Sequence, residues 1–141
     1  MISLEDCIEK GLIKKIAASP KQARDLVEKA KALSLEAKGA VESDRPNLGV
    51  LGGYSAMFMA ARALLFRDGY RERSHACVAR YIEANYKEKI NTRFIDLLDQ
   101  YRTKRHKVVY GADYYPSVEE ARNVVECATE FIPLIEELIK I

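Results

Sequence analysis

The stretch LGVLGGYSAMFMAARALLFRDG, residues 48–69, decides the fold. Asn47 directly before it can cap a helix, and Asp68-Gly69 at its end is a typical helix stop. We therefore predict a long apolar helix over residues 48–67. Small residues along it are expected to let another helix pack close, and larger ones to form core or dimer contacts. The small ones are Gly49, Gly52, Gly53, Ala56, Ala60, Ala61 and Ala63, and the larger ones are Met57, Phe58 and Met59.

The sequence on either side carries the start signals of further helices. Ser3, Ser19 and Ser117 each lie three residues before an acidic or amide side chain, which is the capping-box pattern. Ser74 can cap one more helix, and GADYYP at 111–116 is the clearest break in the second half. The predicted helices span about residues 4–16, 20–42, 48–67, 75–86, 91–110 and 118 to the C-terminus.

Length and composition agree with a helical fold. The chain has 141 residues, and its 7 glycines and 4 prolines are few for the frequent turns of a sandwich or barrel. No stretch alternates with period two for long enough to predict a strand with any weight. The predicted fold is all-α, an antiparallel up-and-down bundle of four to five main helices plus a short N-terminal helix. It is expected to form a single domain over residues 1–141.

The cysteines and the N-terminus indicate a compartment. Cys7, Cys77 and Cys127 are far apart in the sequence and odd in number, which predicts three reduced thiols in a cytosolic protein. The segment MISLEDCIEKGLIKK is not typical of a signal peptide, and no run approaches about 18 apolar residues. We therefore expect a cytoplasmic protein with no membrane span.

The net charge of +2 conceals two unlike segments. Residues 60–110 contain 12 basic and 6 acidic side chains, a balance of +6, whereas residues 117–141 contain 2 basic and 6 acidic ones, a balance of −4. One interpretation is a bundle whose helices attract one another. The other is a basic cleft that holds phosphates.

One arginine of the fifth predicted helix has an unusual place. At 100° per residue, Arg105 falls about 20° from Phe94, within an apolar stripe that includes Tyr101 and Val108, and Arg102 lies on the border of that stripe. A buried charge needs a partner. A carboxylate, a second subunit and a bound phosphate are all candidates, and arginine suits phosphate because its planar group binds two oxygens at once.

Tyrosines crowd the end of the same helix. Tyr110, Tyr114 and Tyr115 follow the basic residues Lys104 and Lys107 within a dozen positions. Cations that contact phosphates and rings that stack on bases are typical of nucleic-acid binding. The alternative is a tyrosine-rich loop packed on the end of the bundle, and composition does not separate the two.

The chain resembles the HEPN family (higher eukaryotes and prokaryotes nucleotide-binding), in particular its small one-domain archaeal and bacterial members. GLIKKI and SPKQARDLVEKAKALSLEA are similar to the opening of that family, and YSAMFMAARALLFRDGY at 54–70 is similar to its second long helix. His75 matches a histidine common after that helix, and RHKVVYGADY at 105–114 lies where the family carries its signature. The resemblance covers nearly the whole chain.

The resemblance implies an all-α homodimer that acts, in active members, as a metal-independent ribonuclease without a cofactor. Many such proteins are toxins encoded beside a minimal nucleotidyltransferase antitoxin. Carried onto this chain, Arg105 takes the signature arginine, His106 the polar residue after it and Tyr110 the place of the histidine. The catalytic candidates are therefore Arg105, His106 and Tyr110. The candidates for nucleotide or RNA binding are Arg102, Lys104, Lys107 and Tyr114.

The tyrosine at the histidine position matters for catalysis. Histidine, with a pKa of about 6.5, exchanges protons near neutral pH, whereas tyrosine, at about 10, is a poor base. Met59 also replaces a histidine frequent in the family. Nucleotide or RNA binding therefore follows from this sequence more directly than cleavage does. His75 is expected to pack or cap its helix, and two histidines 31 residues apart make a metal site improbable.

A second hypothesis is a non-catalytic adaptor. In that case the protein forms a dimer and binds a nucleotidyltransferase-fold partner, Arg105 is a structural ion pair, and Tyr110 or Tyr114 faces the partner as a site of nucleotidylation.

Overall fold

The computed structural model describes residues 1–140, and within them the chain forms six helices and one two-stranded sheet. The all-α bundle predicted from the sequence is confirmed, with five main helices and a short N-terminal one. The elements are α1 (Leu4–Glu9), β1 (Ile13–Lys15), α2 (Pro20–Glu42), α3 (Pro46–Asp68), β2 (Tyr70–Glu72), α4 (His75–Tyr86), α5 (Thr92–Tyr110) and α6 (Val118–Ile139).

The central helix α3 packs against α2 on one side and α6 on the other. Its glycines make that approach close. A Cβ at Gly52 would lie 2.9 Å from the Cβ of Ala37 on α2, and a Cβ at Gly53 would lie 2.8 Å from Val124 Cγ1 on α6. The predicted role of these small residues in helix packing is confirmed.

Helix α3 is also long and apolar enough to cross a membrane by length and composition alone, with a mean hydropathy of 1.4 over its best window. Of that window, 67% is buried inside the protein. The neighbouring helices already bury the apolar surface of α3, as they do for the core helix of a bundle. The length and hydropathy of α3 are therefore weak evidence for a membrane span.

The helix starts follow local side-chain chemistry. The hydroxyls of Ser3 and Ser19 accept hydrogen bonds from the third residue of their helices, and Ser117 forms a complete capping box with Glu120. Helix α3 begins two residues earlier than predicted, because Pro46 takes its first position, where a proline ring suits the helix and loses no hydrogen bond. Ser74 precedes α4, but its side chain makes no capping bond.

The N-terminal segment differs from the prediction. The first helix ends at Glu9 instead of residue 16, because Gly11 adopts a φ of 67° and turns the chain. The chain then forms β1, which pairs antiparallel with β2 in the register Ile13↔Glu72 and Lys15↔Tyr70. Strands this short carry too few residues for a periodicity signal, so the sequence could not reveal them.

The prediction of three reduced thiols is wrong for two of them. Cys7 and Cys77 form a disulfide with a Cα–Cα distance of 5.8 Å, and only Cys127 is a free, buried cysteine within residues 1–140. The two cysteines are 70 residues apart, but α1 packs on α4 and brings them together. Sequence spacing alone carries no information on such a long-range approach.

Helix α4 is fixed to the end of α3 by the partly buried carboxylate of Asp68. The hydroxyls of Tyr81 and Tyr86 both donate to Asp68 Oδ2, at 2.8 and 2.6 Å. Burial together with this carboxylate raises the pKa of Tyr86 to about 12, so the tyrosine remains a neutral donor. The disulfide and these bonds hold α4, and with it the residues at its N-terminus, in one place.

Candidate functional site

The C-terminal half of α5 leaves the core. Phe94, Ile95, Leu98 and Tyr101 are buried, but Val109 is 44% exposed. The apolar stripe predicted around Arg105 is therefore fully buried only as far as Tyr101; beyond it Val108 still packs on the core, and Arg105 is partly buried, less than predicted. Helical periodicity tells which residues share a face, but it does not tell how far along the helix the neighbouring elements reach.

The buried arginine of this protein is Arg80 on α4, which is 5% exposed. Its Nη2 donates to Asp99 Oδ2 on α5 at 2.6 Å. The other oxygen of Asp99 lies 3.7 Å from Arg102 Nη2, one turn further along α5. Asp99 thus links the buried arginine to one of the predicted binding residues and limits where Arg102 can go.

Arg105 is partly buried, and no carboxylate within residues 1–140 lies within ion-pair distance of it. It lies close enough to two side chains of other helices to change their ionisation. Burial raises the pKa of Tyr54 on α3, while Arg102 and Arg105 act in the opposite direction. Of the three partners considered for Arg105, the carboxylate is not found in the described chain, and a second subunit and a phosphate remain.

His75 lies beside the two arginines. Its Nδ1 is 3.1 Å from the hydroxyl of Tyr54, and its ring stacks on Phe58 with centroids 3.9 Å apart. Partial burial of the ring lowers its pKa, and the positive charges of Arg105, Arg102 and Arg62 lower it further. The residue is nevertheless exposed at the N-terminus of α4, so solvent and ligands can reach it.

Sequence reasoning did not place His75 in the site. The contact between Tyr54 and His75 joins two helices that follow one another through a β-strand, and neither residue is adjacent to Arg105 in sequence. The available signal was that His75 is one of only 2 histidines and occupies the first position of a helix. We call the group formed by Tyr54, His75, Arg102 and Arg105 the arginine–histidine cluster.

The other predicted binding residues point elsewhere. Lys104 Nζ donates to Glu120 Oε2 on α6 at 2.6 Å, and the Tyr114 hydroxyl donates to the same oxygen at 3.0 Å. These two bonds and the Ser117 backbone N–H lower the pKa of Glu120 to about 2. Lys107 Nζ lies 5.9 Å from the Tyr114 ring. The structure brings these residues together against α6, where they fix the tyrosine-rich loop to the bundle.

His106 and Tyr110 lie on the exposed end of α5, and their ring centroids are 4.7 Å apart. Tyr110 is 69% exposed. Because consecutive helical residues point about 100° apart, His106 faces away from its neighbour Arg105. The roles predicted for Arg105, His106 and Tyr110 stay predictions. Within residues 1–140, no group of three or more His, Cys, Asp or Glu side chains is placed to bind a metal ion.

The family is identified by comparison: the model of the HEPN domain matches residues 23–138, and this protein belongs to the HEPN family. Comparison with curated proteins gives no significant match. HEPN domains are generally linked to nucleotide or RNA binding and to ribonuclease or toxin activity.

Proposed function

We propose that the protein binds RNA through the arginine–histidine cluster and acts as a metal-independent ribonuclease. The observation that carries this proposal is Arg105, a partly buried cation with no carboxylate partner among residues 1–140, which is near enough to the exposed His75 for its charge to lower the pKa of that ring. A ribonuclease needs cations to bind the scissile phosphate and a group that exchanges protons near neutral pH. Both are within one cluster here.

The charges of the cluster favour an anionic ligand. Arg102 and Arg105 lie one turn apart on α5, and Arg62 of α3 is near enough to act on the same histidine. Arg62 is paired with Glu72 and Arg102 is near Asp99, so Arg105 has the most freedom to turn toward a phosphate. A guanidinium group binds two phosphate oxygens in parallel, which fixes the ligand as well as neutralising it.

Exposed aromatic rings at and just after the end of α5 favour RNA over a small phosphorylated ligand. Tyr110 is 69% and Tyr115 is 76% exposed, and His106 lies against Tyr110. Such rings offer stacking surfaces to unpaired bases, at roughly 1–3 kcal/mol per base. The expected ligand is therefore a single-stranded segment whose backbone passes over Arg105 and whose bases stack beyond the end of α5.

The test is the salt dependence of RNA binding by an Arg105→Ala variant. Fluorescence anisotropy with a labelled single-stranded RNA is measured across a range of salt concentrations. Loss of one phosphate contact should weaken binding and reduce the slope of log K against log salt by roughly 0.7–1. The matched control is Arg24→Ala, an exposed arginine on α2, which should bind as the wild type does. An Arg105→Ala protein with unchanged affinity and slope would refute the proposal.

We further propose that the protein works as a homodimer through the end of α5. Val109 and Tyr110 are exposed apolar side chains at that end of the helix, a few residues beyond Arg105. A second copy that covers Val109 would also place both clusters near one interface. Sedimentation should show a dimer for the wild type and a monomer for Val109→Glu, and a wild-type monomer at micromolar concentration would contradict the proposal.

A second candidate function is the adaptor role beside a nucleotidyltransferase-fold partner, and the exposure of Tyr110 is what favours it. A hydroxyl that accepts a nucleotidyl group has to be reachable, and Tyr110 is far more exposed than Tyr114. Mass spectrometry after co-expression with such a partner should find the added nucleotidyl mass on Tyr110. Absence of that mass, together with no co-purification, would exclude this role and its toxin–antitoxin context.

A further inference from the structure

We propose that His75 is the general base of RNA cleavage in this protein and that Tyr54 is the residue that positions it. The inference rests on the ribonuclease function proposed above and names the group that moves the proton. It assigns this role to a residue on α4, outside the signature segment of α5 in which the sequence places the catalytic candidates.

The geometry around His75 holds its ring and leaves one nitrogen free. One face of the ring stacks on Phe58, and Nδ1 forms a hydrogen bond with the hydroxyl of Tyr54. Tyr54 itself is only 2% exposed. With its proton on Nδ1, the ring donates to Tyr54 Oη, and the lone pair of Nε2 is directed away from that bond. Within residues 1–140, Nε2 has no hydrogen-bond partner, and His75 is exposed. A fixed ring with one free, reachable nitrogen is what a general base requires.

The surroundings of His75 set its protonation. The groups that act on it are Tyr54 and Arg62 from α3 and Arg102 and Arg105 from α5. The three cations disfavour a further positive charge, so the ring is neutral and able to accept a proton at neutral pH. A phosphate bound to Arg105 offsets these cations and stabilises the imidazolium that forms when the proton is taken. The same arginine thus binds the substrate and makes the proton transfer more favourable.

The cleavage step uses only RNA, protein and water. His75 Nε2 takes the proton of a ribose 2′-hydroxyl, and the 2′ oxygen attacks the adjacent phosphorus. A new P–O2′ bond forms, the P–O5′ bond breaks, and the leaving 5′ oxygen takes a proton from water. The products are a 2′,3′-cyclic phosphate and a 5′-hydroxyl end, and the imidazolium returns its proton to the hydroxide left behind. Arg105 neutralises the charge that develops on the phosphate oxygens.

The test separates binding from chemistry with three variants of the full chain. Cleavage of a labelled RNA is followed under single-turnover conditions in the presence of a metal chelator, and affinity is measured on a non-cleavable 2′-deoxy analogue. His75→Gln should cleave at least ~100-fold more slowly with affinity within about twofold of the wild type. Tyr54→Phe should lose less, because it releases the ring without removing the base. Asn123→Ala, an exposed position on α6, is the control for a neutral surface change and should cleave like the wild type.

Two further readouts separate a base from a structural histidine. With protein and RNA well below their dissociation constant the rate reports the free protein, and it should rise with pH around a midpoint below the ordinary histidine pKa of about 6.5, because burial and the arginines lower the pKa of His75. The cleavage rate of the His75→Gln variant should not show this rise with pH. Added imidazole should restore part of the rate to His75→Ala, since the position is exposed, and a variant that responds to imidazole is folded.

The outcomes distinguish this inference from the function on which it rests. A wild type that cleaves RNA while His75→Gln cleaves at the same rate overturns the role of His75 alone. So does a rate that depends on His106 or Tyr110 and not on His75. A wild type that binds RNA through Arg105 without cleaving it overturns the ribonuclease proposal together with this inference. Loss of cleavage with retained binding, and rescue by imidazole, supports His75 as the base.

Discussion

Replacing Gly53 by alanine should destabilise the bundle although alanine is the better helix former. Gly53 lies inside α3 where α6 passes closest. An added Cβ would lie 2.8 Å from Val124 Cγ1 and 3.3 Å from both the carbonyl carbon of Val124 and the backbone nitrogen of Val125. The backbone atoms belong to α6 and cannot rotate out of the way, so the two helices have to separate slightly.

The size of the effect follows from two opposing contributions. Alanine in place of glycine inside a helix stabilises by roughly 0.5–1 kcal/mol. Overpacking a tight helix contact costs roughly 1–3 kcal/mol. We expect the free energy of unfolding of Gly53→Ala to fall by about 0.5–2 kcal/mol. The same change at Gly39 is the matched control, because nothing lies within 4 Å of a Cβ built there and the residue is exposed on α2.

The assay is urea unfolding of the two variants and the wild type by circular dichroism. Gly39→Ala should gain roughly 0.5–1 kcal/mol and Gly53→Ala should lose stability, so the gap between them isolates the contact with α6 at about 1–3 kcal/mol. In thermal unfolding this gap corresponds to several degrees for a chain of this length. Equal gains in both variants would show that α3 and α6 are further apart than described here.

Three more changes test other contacts. A Cys7→Ser variant, or the wild type in reductant, should lose up to about 4 kcal/mol in urea unfolding, because the bond to Cys77 closes a loop of 70 residues; an unchanged midpoint would refute the disulfide. Glu120 has a lowered pKa, so its carboxylate stabilises the fold above about pH 4.5 and loses this effect as the pH falls toward 2. Because the side chain is 39% exposed, the effect is about 1 kcal/mol, and Glu120→Gln should show a shallower acid transition. Asp99→Asn leaves Arg80 buried with only the exposed Glu83, 3.4 Å from its Nε, as an anion and should cost about 3 kcal/mol, whereas a loss similar to that of a surface change would contradict the pairing.

The sequence predicted those parts of the fold that depend on neighbouring residues. Helices α2 and α4 begin and end where predicted, and for α2 the reason is local, because the Ser19 hydroxyl and Pro20 act within the first turn of the helix they start. The small residues of α3 also correctly indicated close packing. By contrast, the strands β1 and β2 depend on a pairing between segments more than 50 residues apart.

The candidate site could be predicted only in part. Arg102 and Arg105 are singled out by their helical positions and stay candidates, but the side chains around them could not be predicted. Lys104 was expected beside them and instead pairs with Glu120 on α6, since one residue of helix changes direction by about 100°. The contact between Tyr54 and His75 is a tertiary one, and no local pattern encodes it.

The disulfide changes what a cut in the chain would do. The loop of residues 43–45 between α2 and α3 is exposed, and a protease that cuts on the amino side of aspartate has a site there at Asp44. A single cut at this point lies inside the loop that Cys7 and Cys77 close. The two fragments therefore remain one covalent molecule, which runs as a single nicked species on a non-reducing gel and separates into two bands after a thiol is added.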